Sequence, residues 1–411
     1  MSTLAQTVMH RCDLLAVHSE QLGQVTRRFL SPPMHAVHRD VKAWMTDAGM
    51  SVRLDATGNI IGHRPANFPG DAKILLMGSH LDTVPNAGKY DGILGVLLPI
   101  AVVDALKADS LPFAIDVFGF SEEEGVRYSQ PYLGSRAIAG SFDPNWLDRL
   151  DESGIAMRDA IATFGLNVDQ IPDAAYDPKK VIGYIEMHIE QGPVLEQMGL
   201  PVAIVNAIAG QSRLMLKITG QAGHAGTTPM SLRHDALVGA ARLVQAVQKM
   251  GQQIDGLRAT VGRMTVTPNA SNVIPSNVEL SLDVRHTVDA IRDEAVREIL
   301  ERGRNIANEE GLHLEVMHRS DTSSVHASSD WVELLSHAVA KKGIESMVMP
   351  SGAGHDAVVM ADRFPFAMLF VRHPGGISHH PDERVDECDV EVAIEVIVDA
   401  IRQLAKRESN K

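Results

Sequence analysis

Histidines and carboxylates gather in this sequence where apolar, strand-like runs give way to loops. They are His80 in GSHLDTV, Asp91 in KYDGILG, Glu122 to Glu124 in SEEEG, His188 in MHIEQG, and His379 and His380 in GISHHPDE. Imidazole and carboxylate donors without a thiolate suit a hydrolytic pair of divalent ions such as zinc or manganese, and the same donors accept cobalt or nickel. Singly, each residue has an ordinary explanation. A histidine among 18 is commonly a surface or packing residue, Asp91 before Gly92 makes a turn, and SEEEG makes an acidic helix start. The coincidence is what points to a site, because adjacent like charges oppose each other's ionisation unless a cation compensates them. One carboxylate bridging two ions about 3.5–4 Å apart leaves room for a shared water whose pKa falls towards about 7. A second, unligated carboxylate can take the proton of that water and return it to a leaving nitrogen.

The elements that must position these residues alternate in type. Residues 72–79 (AKILLMGS) and 113–121 (FAIDVFGFS) read as short strands, and ILGVLLPIAVVDALKA between them has helical length and spacing. Two further strands are predicted in VIGYIEMHIE, which ends at His188 and Glu190, and in FAMLFVRH (366–373). The order implies β-α-β units, hence an α/β catalytic domain with a mostly parallel sheet and helices on both faces. Ligands of such sheets collect beyond the carboxyl ends of the strands, so the four trailing loops are expected to converge. From Ser212 the rhythm changes to β-α-β-β-α-β: strand SRLMLKITG, a helix, strands RATVGRMTV and VELSLDVRH, a second helix, and strand LHLEVMH. That is a ferredoxin-like α+β arrangement inserted into the first domain. The predicted division is 1–211 and 328–411 for the catalytic domain and 212–327 for a lid and dimerisation domain.

Composition limits the function classes. The 411 residues suffice for about two domains. Acidic residues outnumber basic ones by 52 to 38, and no basic run offsets them, so nucleic acid is not an expected partner. No apolar stretch approaches the roughly 18–20 residues that cross a bilayer, and the N-terminal sequence lacks the features of a secretory signal. Cys12 and Cys388 lie near opposite ends without metal or redox spacing, which fits a reduced cytoplasm.

Nine motifs in order (HLDT, YDG, SEEEG, HIEQGPVLE, GHAGTTPM, PNASNVIPS, DVRH, SGAGHDA and GISHHPDE) resemble the amidase, hydantoinase and carbamoylase branch of the M20 metallopeptidase superfamily. Within it the chain is most similar to allantoate amidohydrolases, and close to N-carbamoyl-L-amino acid hydrolases and β-ureidopropionases. The resemblance implies that His80, Asp91 and His188 hold one ion. Asp91, Glu124 and His379 would hold the other, with Asp91 as bridge, Glu123 as general base and acid, and Asp82 orienting His80. Which glutamate plays which part follows from aligning the end of SEEEG with the family, and the same alignment prefers His379 over His380. Substrate contacts implied in the same way are Arg285 and Asn272 with the backbone around Gly354, then Gln191, Gln211 and Arg213. His355 and Asp356 would buttress the pocket. His224 would polarise the scissile carbonyl from a neighbouring subunit, which makes a homodimer part of catalysis. The implied substrate is a small anionic ureido acid: allantoate, giving ureidoglycine, ammonia and carbon dioxide. The alternative is an N-carbamoyl-L-amino acid or N-carbamoyl-β-alanine, ahead of a dipeptide or a non-catalytic binding role.

Overall fold

In the computed structural model of the chain, which describes residues 3–68 and 72–409, the fold divides into two compact units. One comprises residues 1–206 and 326–411, the other 207–325.

The first unit is built on strands β1 (Ser51–Leu54), β2 (Ile60–Arg64), β3 (Ile74–His80), β4 (Ala114–Phe120), β5 (Val181–Ile189) and β6 (Val202–Ile208). The inserted segment supplies β7 (Gly210–Thr219), β8 (Gly223–His224), β9 (Arg258–Thr260), β10 (Met264–Thr267), β11 (Val273–Ile274), β12 (Asn277–His286) and β13 (His313–Thr322). Short β14 (Val325–His326), β15 (Val348–Ser351) and β16 (Phe366–Val371) follow. The larger sheet has the order β1-β2-β4-β3-β5-β16-β6-β14, with β15 on β6. Its centre, β4-β3-β5-β16, is parallel, and these are the four strands expected from the sequence. They are uniformly apolar because helices cover a parallel sheet; Ala114–Phe120 and Phe366–Val371 are buried throughout. Helices Leu4–Ala16, Ile93–Ala105, Ser329–Lys341 and Glu387–Ser409 contribute to the core cluster. The margins depart from a purely parallel pattern. The β1–β2 hairpin and β6 pair antiparallel, and the sequence reading did not anticipate either.

The inserted unit carries a sheet of order β10-β12-β7-β13, with β9 also on β12, all antiparallel. Helices Ala236–Gln253 and Asp289–Glu310 supply apolar residues to its core. RATVGRMTV is not one strand as expected: it splits into β9 and β10, and Ser281 caps the break by bonding both its backbone and its hydroxyl to Arg263. Strict alternation along β12 buries Val278, Leu280, Leu282 and Val284 and turns Ser281, Asp283 and Arg285 to the opposite face.

Among the described residues, no helix is long and apolar enough to cross a membrane.

Candidate active site

The carboxyl ends of the parallel strands bring the predicted residues of the first unit together. His80 ends β3, and its Nδ1 lies 3.0 Å from the Asp82 carbonyl oxygen, which leaves Nε2 for a ligand. His188, near the end of β5, has Nδ1 at 3.0 Å from the Ile189 carbonyl and Nε2 at 3.2 Å from Asp91 Oδ1. His379 Nε2 stands 3.2 Å from the other Asp91 oxygen, Oδ2, and 3.7 Å from Glu124 Oε1. Each oxygen of Asp91 thus faces a different imidazole. Ligand atoms of His80, Asp91 and His188 lie within 4.8 Å of one another, as do those of Asp91, Glu124 and His379, and those of His80, Glu123 and Glu124. His380 stays outside these groups, half exposed and turned to Asp382.

Local chain geometry explains how these side chains are held. Asp91 precedes Gly92, the N-cap of helix Ile93–Ala105, whose φ is +69°. A Cβ at Gly92 would fall 2.4 Å from the His80 ring, so the turn that presents Asp91 requires glycine twice over. Gly92→Ala is therefore expected to destabilise the fold by about 1–3 kcal/mol from the sparsely populated positive-φ backbone alone. Displacement of His80 should weaken metal uptake as well. Denaturant unfolding and metal titration of the same variant check both outcomes. Asp82 joins β3 to the glutamate loop: Oδ1 accepts the Glu123 N–H at 2.9 Å and Oδ2 the Glu124 N–H at 3.1 Å. Its Oδ1 also lies 3.4 Å from His80 Nδ1.

Arg27, which shapes the site, carried no sequence signal, whereas Gln191, His355 and Asp356 were expected near it. Arg27 is wholly buried and donates to the carbonyls of Leu81, Leu15 and His18, while its backbone N–H meets Thr83 Oγ1 at 3.0 Å. It pins the loop that follows His80. Gln191 donates to Asp91 Oδ1 at 3.1 Å and to Ser378 Oγ at 3.0 Å, beside the metal-type cluster. His355, after Gly354 in the loop beyond β15, packs edge-on to His188 at 4.5 Å and has Nε2 2.8 Å from Ser351 Oγ. Asp356 is buried without a hydrogen-bond partner on either oxygen.

The electrostatics are those of a site with surplus negative charge. Burial drives Glu123 well above the usual carboxylate range, with Glu124 and Asp356 adding to the shift against His80. Burial and then Asp91 push Glu124 up to about 7. Burial disfavours the imidazolium of His80, yet Asp82, Glu123 and Asp91 hold it well above the ordinary histidine value. His379 is raised to about 9, chiefly by its contact with Asp91. His188, more deeply desolvated, falls to about 4. Asp91 Oδ2 is buried and forms no hydrogen bond beyond its 3.2 Å ionic contact with His379 Nε2. Oxygen and nitrogen donors and clustered, buried acids meet the requirements of divalent cations.

The inserted unit holds the remaining predicted residues in two groups. His224 pairs with Val273 across β8 and β11, next to Asn272, whose carbonyl accepts the Ala225 N–H at 2.9 Å; the imidazole is exposed. Gln211, Arg213 and Arg285 meet around Asp283. Arg285 makes a forked pair with it at 2.8 and 2.9 Å, Gln211 donates at 2.7 Å, and Arg213 Nε lies 3.4 Å away. Burial would raise Asp283, but Arg285 outweighs it and holds the carboxyl below its usual range. Asp283 was not singled out from the sequence. Ser212 is buried on the other side of β7, donating to Asp321 Oδ1 at 2.6 Å.

The cluster is of a kind able to hold divalent metal. The sequence matches Peptidase family M20/M25/M40 over residues 76–403. The N-carbamoyl-L-amino acid amidohydrolase of Geobacillus stearothermophilus is 38% identical over 398 residues, covering 96% of this chain and 97% of that protein. The allantoate deiminase of Arabidopsis thaliana is 37% identical over 415 residues, covering 91% of this chain and 78% of the other. A crystal structure of a hydantoinase/carbamoylase family amidase from Burkholderia multivorans superposes with a TM-score of 0.90 at 31% identity, over 98% of both chains. The chain belongs to the M20 family, among its amidohydrolases.

Proposed function

We propose that the chain hydrolyses the ureido C–N bond of a small carboxylate, with allantoate as substrate. The observation that carries the reading is the convergence of His80, Asp91, Glu124, His188 and His379 within coordinating reach, with Glu123 beside them. In this reading His80, Asp91 and His188 would hold one divalent ion and Asp91, Glu124 and His379 a second, zinc or manganese suiting the donors. Two such ions would supply Lewis-acid polarisation and a water of lowered pKa, towards about 7.

The chain's own groups do the rest. Glu123, desolvated and anchored through its backbone to Asp82, takes a proton from the attacking water and delivers it to the leaving nitrogen. One water adds to the ureido carbonyl and one C–N bond breaks, releasing ammonia and a carbamate; the carbamate then loses carbon dioxide, which breaks the second C–N bond and leaves the amine. Arg285, its plane fixed by Asp283, receives the substrate carboxylate as a planar fork. Asn272 and the backbone at Gly354 assist it, and His224, from a second copy of the chain in a homodimer, stabilises the oxyanion.

A second polar arm distinguishes allantoate from N-carbamoyl amino acids, and Gln191, Gln211 and Arg213 provide polar partners for one. Ser212, which departs from the doubled arginine of some allantoate enzymes, lies on the opposite face of β7 from Arg213, so the departure leaves the Arg285-bearing face intact. The alternative, an N-carbamoyl-L-amino acid substrate, draws support from near-equal identity to relatives of both names. Ammonia release by metal-loaded protein from allantoate, N-carbamoyl-alanine and N-carbamoyl-β-alanine tests the choice. Highest kcat/KM on allantoate supports the first reading; preference for a carbamoyl amino acid replaces it with the second. Arg285→Ala should raise KM for the anionic substrate about 10- to 100-fold, the equivalent of a lost charge-assisted pair of about 1.5–3 kcal/mol. Steady-state kinetics showing an unchanged KM would remove Arg285 as the anchor.

A further inference from the structure

Glu383 sits in the loop of His379 and has no part in the chemistry derived above. It is only 5% exposed, and its Oε1 accepts the backbone N–H of Asp91 at 2.9 Å, bridging 292 positions of sequence. Its own N–H donates to the His380 carbonyl at 3.1 Å, so the turn carrying His379 closes at Glu383. The second oxygen, Oε2, is buried without a hydrogen-bond partner. A buried, half-satisfied carboxyl is costly, and an apolar side chain would fill the same volume more cheaply if packing were the only demand.

The opposite loop is shaped around it. A Cβ at Gly88 would come 2.1 Å from Glu383 Oε2 and 2.3 Å from its Cβ, although Gly88 is not among the positive-φ glycines. The constraint at residue 88 is therefore the room taken by Glu383. Glycine on one loop and a buried acid on the other form a single joint between the chain segment that carries Asp91 and the one that carries His379. At that joint Asp91 Oδ2 and His379 Nε2 stand 3.2 Å apart.

We propose that Glu383 is a positioning residue that locks the loops of Asp91 and His379 into one unit, setting the geometry of the ion site they share with Glu124. The inference rests on the two-ion reading of these ligands. Its test is metal binding by the full-length protein, stripped of metal and titrated with zinc or manganese against a chromophoric chelator, with no substrate present. Wild type should bind two ions. Glu383→Ala should bind the weaker ion about 10- to 100-fold less tightly, the range typical of lost supporting contacts around a metal site. Glu383→Gln, which keeps an oxygen acceptor for the Asp91 N–H, should recover most of that affinity. Gly88→Ala, which evicts the acid from its seat, should reproduce the alanine defect with Glu383 still present.

A role in packing alone would lower the unfolding midpoint and leave the affinity of the folded protein unchanged. Folded Glu383→Ala or Gly88→Ala protein that binds both ions as wild type does would overturn the proposal. So would a glutamine variant as impaired as the alanine one. Wild type that takes up no second ion would remove the two-ion reading and this inference together. Wild type that binds two ions yet hydrolyses no ureido acid would sink only the substrate assignment.

Discussion

Glu123→Gln protein is expected to bind metal as the wild type does and to lose activity by a factor of about 100 to 10,000, the usual contribution of a positioned general base. The substitution is nearly isosteric. The backbone N–H of residue 123 still reaches Asp82 Oδ1, so the loop that presents Glu124 keeps its anchor. What disappears is the proton acceptor. Because a neutral amide replaces a carboxyl that burial and the neighbouring acids already disfavour as an anion, the metal-free fold should be no less stable. The decisive comparison is metal content against kcat. Intact metal with collapsed kcat supports the assignment. An emptied ion site would mean that Glu123 and Glu124 have exchanged roles, an arrangement compatible with the third coordinating group, His80, Glu123 and Glu124.

Asp91→Asn has a different signature. Both oxygens of Asp91 face an imidazole, at 3.2 Å from His188 and from His379, so the residue participates in both ion sites. Losing the charge and one acceptor should weaken metal binding by more than the roughly 10- to 100-fold expected of a supporting residue. Thermal unfolding makes the prediction sharp. Wild type at metal 100 times its dissociation constant gains about 2.7 kcal/mol by linkage, and Asp91→Asn should gain close to nothing at the same concentration. A variant that is stabilised by metal as much as wild type would exclude Asp91 as the bridge.

The legible parts of the site share one physical origin. His80, His188 and His379 follow apolar runs long enough to be recognised as central strands, and parallel strands in one sheet necessarily send their carboxyl ends to one edge. Asp91 and the glutamates could be placed for the same reason: each sits just beyond a strand or opens the helix after it. The parts that stayed hidden depend on loops meeting, and no local pattern records that. Glu383 reads as an ordinary acid in PDE until its carboxyl is seen on the Asp91 N–H. Arg27 reads as a surface residue of VTRR, yet it is buried among carbonyls from three separate positions. Asp283 shares a face with Arg285 through plain strand alternation, which the pattern of β12 permitted; its grip on Gln211 additionally required the register with β7. The β1–β2 hairpin is short and lies at the margin of the sheet, where the run of apolar residues that marks the centre is absent. The break between β9 and β10 falls where Ser281 of β12 bonds Arg263 through its backbone and its hydroxyl, a partner that the sequence of the split strand does not contain.

Anomalous diffraction from crystals of the metal-loaded protein tests the account most directly. Two peaks about 3.5–4 Å apart are expected, one reached by His80 and His188, the other by Glu124 and His379, with the Asp91 carboxylate between them and Glu123 bound to neither. A single peak, or a Glu123 oxygen within coordinating distance of an ion, would contradict it.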